Sequence, residues 1–213
     1  MNPVRVGYVM GSGDRVPEAI RRLGVDVELL DDATLTSGDL SEYDTIIVGI
    51  RASQARPAFV ANHQRLLDFA AQGGALIVQY QQPDFIAQGL APYSASMDGN
   101  VRVVDETAPI TILEPDHPVF SFPNRIGEAD FDGWIQERNN YNFTSFDEAR
   151  YLPLTEAHDP GEADSVGGML YAPIGNGHYV YTAYSWFRQL PAGVPGAYRL
   201  FANLVSLPEA DSP

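Results

Sequence analysis

The stretch YDTIIVGIRASQARPAFVANHQRLLDFAAQGGALIVQYQ, residues 43–81, decides the fold class of this chain. Its first part, YDTIIVGI (43–50), is mostly a continuous apolar run, which is typical of a strand covered on both faces. A helix is predicted from Pro57, because apolar residues then recur at helical spacing up to Gly73. ALIVQY (75–80) predicts the next strand. This order predicts two parallel strands joined by a right-handed crossover.

The chain before this stretch repeats the pattern. VRVGYVM (4–10) predicts a first strand, and GSGDRVPEAIRRLG (11–24) predicts a turn and an amphipathic helix with Asp14 as its N-cap. VDVELL (25–30) predicts a second strand, followed by a polar loop. Strands that alternate with helices in this way predict an α/β fold. The sheet would be doubly wound and mostly parallel, of the Rossmann or flavodoxin type, with helices on both faces.

The regular alternation fails after Tyr80. Residues 82–165 are predicted to form a loop-rich insertion with one strand at APITILE (108–114). After this insertion, two further strands are predicted around Gly175-Asn176-Gly177, a turn sequence that strongly indicates an antiparallel hairpin. Apolar residues over 194–205 share one helical stripe and predict a last helix against the sheet.

Composition limits the classes of function. The chain has 213 residues, 45% of them hydrophobic, so we expect a single domain over residues 1–208 and a polar tail over 209–213. Its 13 Lys and Arg against 28 Asp and Glu give a net charge of −15, which repels nucleic acid and anionic membranes. Neither a membrane-length apolar stretch nor a signal peptide occurs in this chain. We expect a soluble chain, cytoplasmic, or exported if it belongs to a longer precursor.

Several segments resemble a known family. YDTIIVGIRA, GGALIVQYQ and GNGHYVYTAYSWFRQLPAGVPGAYRLFANLV (175–205) are similar to the class I glutamine amidotransferase-like superfamily, in particular its ThuA-like branch. The segment DHPVFSFPNRIGEADFDGWIQER (116–138) resembles the C-terminal domain of large bacterial PIG-L (LmbE-like) deacetylases. The similarity extends from Val4 to about Leu207.

The catalytic residues of that superfamily are not matched. Its active members carry a Cys on the tight turn after a strand, and a later His deprotonates that Cys. The matching turn here holds Gln79, Tyr80 and Gln81, and the chain contains no Cys. Tyr184 stands near the place of the late His, and the HxDD zinc motif of PIG-L enzymes is absent from the sequence. The resemblance implies a pseudoenzyme domain without catalytic residues, metal or cofactor.

Ligands of doubly wound sheets bind in the crevice at the carboxyl ends of the strands. Arg51 follows one central predicted strand, and Gln79, Tyr80 and Gln81 follow the next. Arg51 suits a carboxylate or phosphate, and the other three suit a hydroxyl-rich ligand. In the alternative interpretation, Arg51 forms an internal salt bridge and the Gln side chains bind loop backbone.

The segment FDGWIQERNNYNF (131–143) lacks the periodicity of a helix or strand. Its aromatic faces and paired polar groups suit a sugar ring. The further candidate ligand-binding residues, from this segment and the end of the last predicted strand, are Trp134, Gln136, Glu137, Arg138, Tyr184 and Arg188. We expect Tyr184 and Arg188 to complete a polar pocket with Gln81. Docking of the segment on a partner domain, or plain packing of Trp134 against the sheet, are the alternatives.

The leading interpretation is a non-catalytic amidotransferase-like domain. It binds a carbohydrate-like or other polar small ligand, or docks on a PIG-L-type deacetylase domain in the same or another chain. One alternative is a hydrolase that uses carboxylates such as Asp130, Asp132 or Glu137 with a water or metal. Another is a structural module that dimerises.

Overall fold

A computed structural model describes residues 4–210 and confirms the predicted α/β class. The strands in chain order are β1 (Arg5–Val9), β2 (Asp26–Leu29), β3 (Thr45–Val48), β4 (Ala75–Gln79), β5 (Ala95–Ser96), β6 (Arg102–Val103), β7 (Thr111–Ile112), β8 (Asn139–Asn140), β9 (Ser145–Phe146), β10 (Leu152–Pro153), β11 (Thr155–Glu156), β12 (Met169–Ile174) and β13 (Gly177–Thr182). The helices are α1 (Val16–Arg22), α2 (Asp32–Ser37), α3 (Ala52–Ala55), α4 (Pro57–Ala71), α5 (Asp84–Ala87), α6 (Pro118–Ser121), α7 (Trp186–Ala192), α8 (Pro195–Val205) and α9 (Leu207–Ala210), with 3-10 turns at Leu40–Glu42 and Glu128–Phe131.

The central sheet has seven strands in the order β10-β12-β13-β4-β3-β1-β2. The strands from β13 to β2 in this order are mutually parallel, and β12 and β10 are antiparallel additions at one edge. Ala75 of β4 pairs with Thr45 on one side and with His178 on the other. The strand beside β4 is therefore supplied by a part of the chain that comes after the whole insertion.

The hydrophobic pattern of the strands explains why the sheet is covered on both faces. Every residue of β3 and β4 is buried, as a continuous apolar run predicts. Along β1, Val6 and Tyr8 belong to one core cluster and Val9 to another, because successive side chains point to opposite faces. Helices α1 and α8 cover the first face, and α4 covers the second.

The predicted C-terminal hairpin is confirmed. β12 and β13 pair antiparallel with Ile174 opposite Gly177, so Gly175 and Asn176 form the turn. Gly175 has φ +55, and a Cβ there would lie 2.3 Å from the carbonyl oxygen of Ala71. Only glycine fits both the left-handed backbone and this close approach.

Three local predictions differ from the structure. The polar loop after β2 contains helix α2, which begins where the Asp31 carboxylate accepts a hydrogen bond from the Thr34 N–H. APITILE forms only the two-residue strand β7, paired with β11. The N-cap of α1 is Arg15, whereas the Asp14 carboxylate accepts from the Val16 N–H. Short segments carry too little periodicity to separate these cases.

The predicted polar tail is partly helical. Of residues 209–213, Glu209 and Ala210 complete helix α9. Residues 211–213 of the tail and residues 1–3 of the predicted domain lie outside the described residues. Within residues 4–210, the helices are too short or too polar to cross a membrane.

Candidate functional site

Arg51 and Tyr80 begin the crevice at the carboxyl ends of β3 and β4. The Arg51 N–H donates to the carbonyl oxygen of Tyr80 over 3.1 Å, which ties the two loops together. Arg51 has φ +54, in the left-handed region that non-glycine residues rarely adopt. Its guanidinium lies 5.7 Å from the centroid of the Tyr80 ring, and its Nε is buried without a hydrogen-bond partner among the described residues.

An aromatic stack surrounds Tyr80. Tyr141 lies nearly parallel to it, with ring centroids 5.9 Å apart and 8° between the planes. Phe187 of α7 packs on it at 5.6 Å. Burial raises the pKa of Tyr80, and the positive charge of Arg51 partly offsets this effect. Tyr80 is only 5% exposed, while Tyr141 and Phe187 are half-buried, so solvent reaches this stack from their side.

A cluster of polar side chains, Gln136, Glu137, Ser185 and Arg188, lies beside the stack. Oε1 of Glu137 accepts from Arg188 Nε over 2.8 Å and from Ser185 Oγ over 3.3 Å. Arg188 Nη1 also donates to Oε1 of Gln136, which has φ +67. The charge of Arg188 is therefore neutralised within the protein.

Backbone strain concentrates at this crevice. Within residues 4–210, the non-glycine residues with positive φ are Arg51, Gln136 and Tyr141. Arg51 and Tyr141 contact Tyr80 of the aromatic stack, and Gln136 belongs to the polar cluster. Such conformations persist only where the surroundings enforce them, and they cluster at functional sites.

Gln79 and Gln81 lie under the crevice and not in it. Both are fully buried. Oε1 of Gln81 accepts from the Ser53 N–H, and its Nε2 donates to the carbonyl oxygens of Gly49 and Gln79. This arrangement matches the alternative in which Gln81 binds loop backbone. Nε2 of Gln79 donates to the Tyr8 hydroxyl over 2.8 Å, whereas its Oε1 has no partner among the described residues.

Trp134, Arg138 and Tyr184 belong to the core on the α1 and α8 side of the sheet. Trp134 is 3% exposed, and its Nε1 donates to the carbonyl oxygen of Asp130. Arg138 donates to the carbonyl oxygens of Ala108 and Phe131, and burial lowers its pKa. The Tyr184 hydroxyl donates to Thr155. These three side chains present almost no surface to a ligand. The pocket expected from Gln81, Tyr184 and Arg188 does not form.

The candidate catalytic acids do not come together as a pair at the crevice. Asp130 accepts from Arg199 Nε over 2.8 Å, Glu137 pairs with Arg188, and the side chain of Asp132 is exposed. No group of three or more His, Cys, Asp or Glu in the described part of the chain is arranged to hold a metal ion.

Asp14, which the sequence predicts as a helix N-cap, is a half-buried acid that contacts Tyr8. The Tyr8 hydroxyl lies 2.8 Å from both carboxylate oxygens of Asp14 and also accepts from Gln79. Burial raises the pKa of Asp14, although hydrogen bonds from Val16 and Tyr8 partly oppose the rise. Its position directly after the first strand was the available signal, but the sequence could not show that Tyr8 points toward it.

Tyr141 and Phe187 lie in the two segments that the sequence indicates as candidates, but the predicted pocket does not include them. Both lie in aromatic-rich segments of the sequence, so residue type was a signal. Their convergence on Tyr80 depends on contacts between the insertion, α7 and β4 that are distant in sequence.

A cleft of about 510 Å³ lies at the opposite edge of the sheet, before β3 and β4. Asp39, Asp44 and Asp68 are among its lining residues. Its arginine, Arg65, already donates to the carbonyl oxygens of Thr34, Leu35 and Gly38. Because ligands of doubly wound sheets bind at the carboxyl edge, we place the candidate site at the crevice and not here.

No family model matches the sequence, and no curated protein matches it. Solved structures do match the fold. A cytoplasmic protein of Salmonella typhimurium LT2 is similar with a TM-score of 0.64 and 13% identity, over 95% of this chain and 98% of that one. A GMP synthase-like protein of Thermoplasma acidophilum is similar with a TM-score of 0.55 and 11% identity, over 99% of this chain and 96% of that one.

A β-galactosidase from Rahnella sp. R3 is similar with a TM-score of 0.62 and 13% identity. The match covers 99% of this chain but only 32% of that enzyme. Identities this low carry information about fold alone. The chain therefore shares its overall fold with these proteins, a mostly parallel α/β sheet of the Rossmann or flavodoxin type.

Proposed function

We propose that this chain is a non-catalytic amidotransferase-like domain that binds a polar, ring-shaped small ligand, such as a sugar, in the crevice around Tyr80. The observation that carries the proposal is Arg51, a partly buried cation with a left-handed backbone and an unpartnered Nε beside an aromatic stack. Buried polar groups are normally satisfied, and an exception calls for an explanation. Because Nε is closed to solvent, the ligand would bind the other nitrogens of the guanidinium, whose charge has no acidic partner among the described residues.

The absence of catalysis is proposed from the residues of the crevice. The turn after β4 holds Tyr80, whose ring packs against Tyr141 and Phe187, and the sequence contains no Cys. A nucleophile elbow is a strained turn between a strand and a helix. Residues 79–82, which all lie in the described part of the chain, have no positive φ, so this strained turn is not formed there. The hydrolase alternative loses Asp130 and Glu137 as free acids, because each is paired with an arginine.

A finer proposal concerns the family. The segment 116–138 supports membership of the ThuA-like branch and a role as the C-terminal domain of a PIG-L-type deacetylase, on which the domain would dock. Ile135 in that segment is 36% exposed beside Gln136, which gives a partner domain an apolar contact near the crevice. Co-purification with a PIG-L catalytic domain, lost in Ile135→Asp, is the expected result; equal recovery of the variant contradicts docking at this position.

Thermal shift tests the binding function, because a ligand of the folded state raises the melting temperature. The panel contains neutral sugars, amino sugars, sugar acids, amino acids, nucleotides and divalent ions. We expect a sugar to stabilise the protein, and Phe187→Ala to remove the effect. Phe146→Ala is the matched control, because Phe146 is also half-buried but packs on Tyr151 within the insertion. A flat panel, or a shift that survives in Phe187→Ala, contradicts the proposal.

A further inference from the structure

Arg51 differs from the other arginines near the crevice in having no counter-charge. Arg188 pairs with Glu137 at 2.8 Å, and Arg56 pairs with Asp32 at 2.6 Å. Among the described residues, Arg51 forms no ion pair. A guanidinium remains protonated at all physiological pH values, so the site carries a permanent, uncompensated positive charge.

The position of this charge is fixed by the fold. The Arg51 N–H is held by the Tyr80 carbonyl, and α3 begins at the next residue. The side chain lies over the Tyr80 ring, so the guanidinium cannot be regarded as a freely solvated surface group. Nearby, Ser53 is 6% exposed, and its hydroxyl also lacks a partner among the described residues. Two unsatisfied polar groups therefore come from nearby positions of one short segment.

We propose that the ligand of this crevice is an acidic sugar, whose carboxylate binds Arg51 while its ring contacts the exposed side of Tyr141 and Phe187. This inference rests on the proposed binding function and narrows the class of ligand. A carboxylate satisfies a guanidinium by paired, charge-assisted hydrogen bonds, which neutral hydroxyls cannot equal. The apolar C–H face of a pyranose complements half-buried aromatic rings. With a net charge of −15, the protein repels anions in general, so this preference requires a local cation without a partner.

Glucuronate and glucuronamide provide the test, because they share one ring and differ in the charge at a single carbon. We expect calorimetric titration of the full chain to give at least about tenfold tighter binding of glucuronate, since charge-assisted hydrogen bonds are roughly twice as strong as neutral ones. Arg51→Gln should remove this difference, and Arg51→Lys should restore part of it. Arg150→Gln is the matched control, because Arg150 also lies over a tyrosine, at 5.2 Å from the Tyr93 centroid, but on the exposed surface.

The outcomes separate the two proposals. Equal affinities for glucuronate and glucuronamide overturn the acidic-sugar inference and leave the binding function standing. Acetate that binds as tightly as glucuronate also overturns it, because the ring would then contribute nothing. Failure of every sugar in the panel to bind overturns the proposed function itself. The first comparison uses the wild-type protein, so it remains decisive even if Arg51→Gln does not fold.

Discussion

Among the arginines that lie over aromatic rings in the described part of the chain, Arg138 and Arg51 have nearly the same distance to the ring. The Arg138 guanidinium is 5.9 Å from the Trp134 ring, and that of Arg51 is 5.7 Å from the Tyr80 ring. Arg138 is 4% exposed and donates to two backbone carbonyls, whereas Nε of Arg51 has no partner among the described residues. The first arginine completes a core, and the second is the cation to which we propose that a ligand binds. Satisfied hydrogen bonding, not residue type, distinguishes the two arginines.

The largest expected effect comes from a substitution in the core around Arg138, the packed arginine of this comparison. Trp134→Ala removes a buried ring that contacts Trp186 and Tyr184, so we expect a loss of about 3–5 kcal/mol in the free energy of unfolding. Phe187→Ala removes a half-buried ring, and we expect no more than about half that loss because less apolar area returns to water. Urea denaturation measures both. A similar loss in the two variants would contradict the distinction between core and crevice.

The arginines themselves give the next effect. Arg138→Met leaves the carbonyl oxygens of Ala108 and Phe131 without this donor, and we expect a loss of about 1–3 kcal/mol. Arg51→Met removes an unpartnered donor and should change stability by less than about 1 kcal/mol, the range of an exposed cation–π contact. Chemical denaturation of the two variants, alongside the wild-type protein, checks the order. A greater loss in Arg51→Met would show that Arg51 is structural.

The smallest effect concerns Asp14. Burial raises its pKa above the ordinary 3.8, so the folded state binds this proton more tightly than the unfolded state does. The stability that the proton supplies is present at low pH and is lost as pH rises from the ordinary pKa through the raised one. Wild-type stability should therefore fall relative to Asp14→Asn across that window. Denaturation of both proteins over a pH series measures the difference.

Asp39 supplies a control of opposite sign. Hydrogen bonds from Ser41 lower the pKa of Asp39, so its contribution is lost as pH falls below the ordinary 3.8. The wild-type protein should gain stability relative to Asp39→Asn as pH rises through that lower range. The same slope in both comparisons would contradict the opposite directions of the two pKa shifts, raised by burial at Asp14 and lowered by hydrogen bonds at Asp39.

The central fold was predictable because its signals are local. The apolar run of β3, the helical spacing after Pro57 and the Gly175-Asn176 turn each specify one element without help from the rest of the chain. The insertion was not predictable in this way. Its strands are two residues long, which is too short for the alternation of apolar and polar residues that identifies a strand in a sequence.

The meeting of Arg51 and Tyr80 was predictable, but the other contacts at this edge of the sheet were only partly so. The crevice rule selects Arg51 and Tyr80 from their places after β3 and β4, and the structure brings them together. The rule cannot separate Gln81, whose side chain is bound to backbone, from a side chain that faces solvent. Trp134 is buried by Tyr184 and Trp186, and such long-range contacts leave no trace in the local pattern.

The position of β13 beside β4 has a consequence for folding during synthesis. During synthesis β1 to β4 emerge first and can pair with one another, but β4 remains an edge strand until His178 and its neighbours arrive to pair with Ala75 and beyond. Closing so long a loop is slow because its entropy must be lost before the pairing compensates. Until then, the apolar residues of ALIVQ present an open row of backbone donors and acceptors to any other nascent chain. The window for aggregation therefore opens with the synthesis of β4 and closes with that of β13.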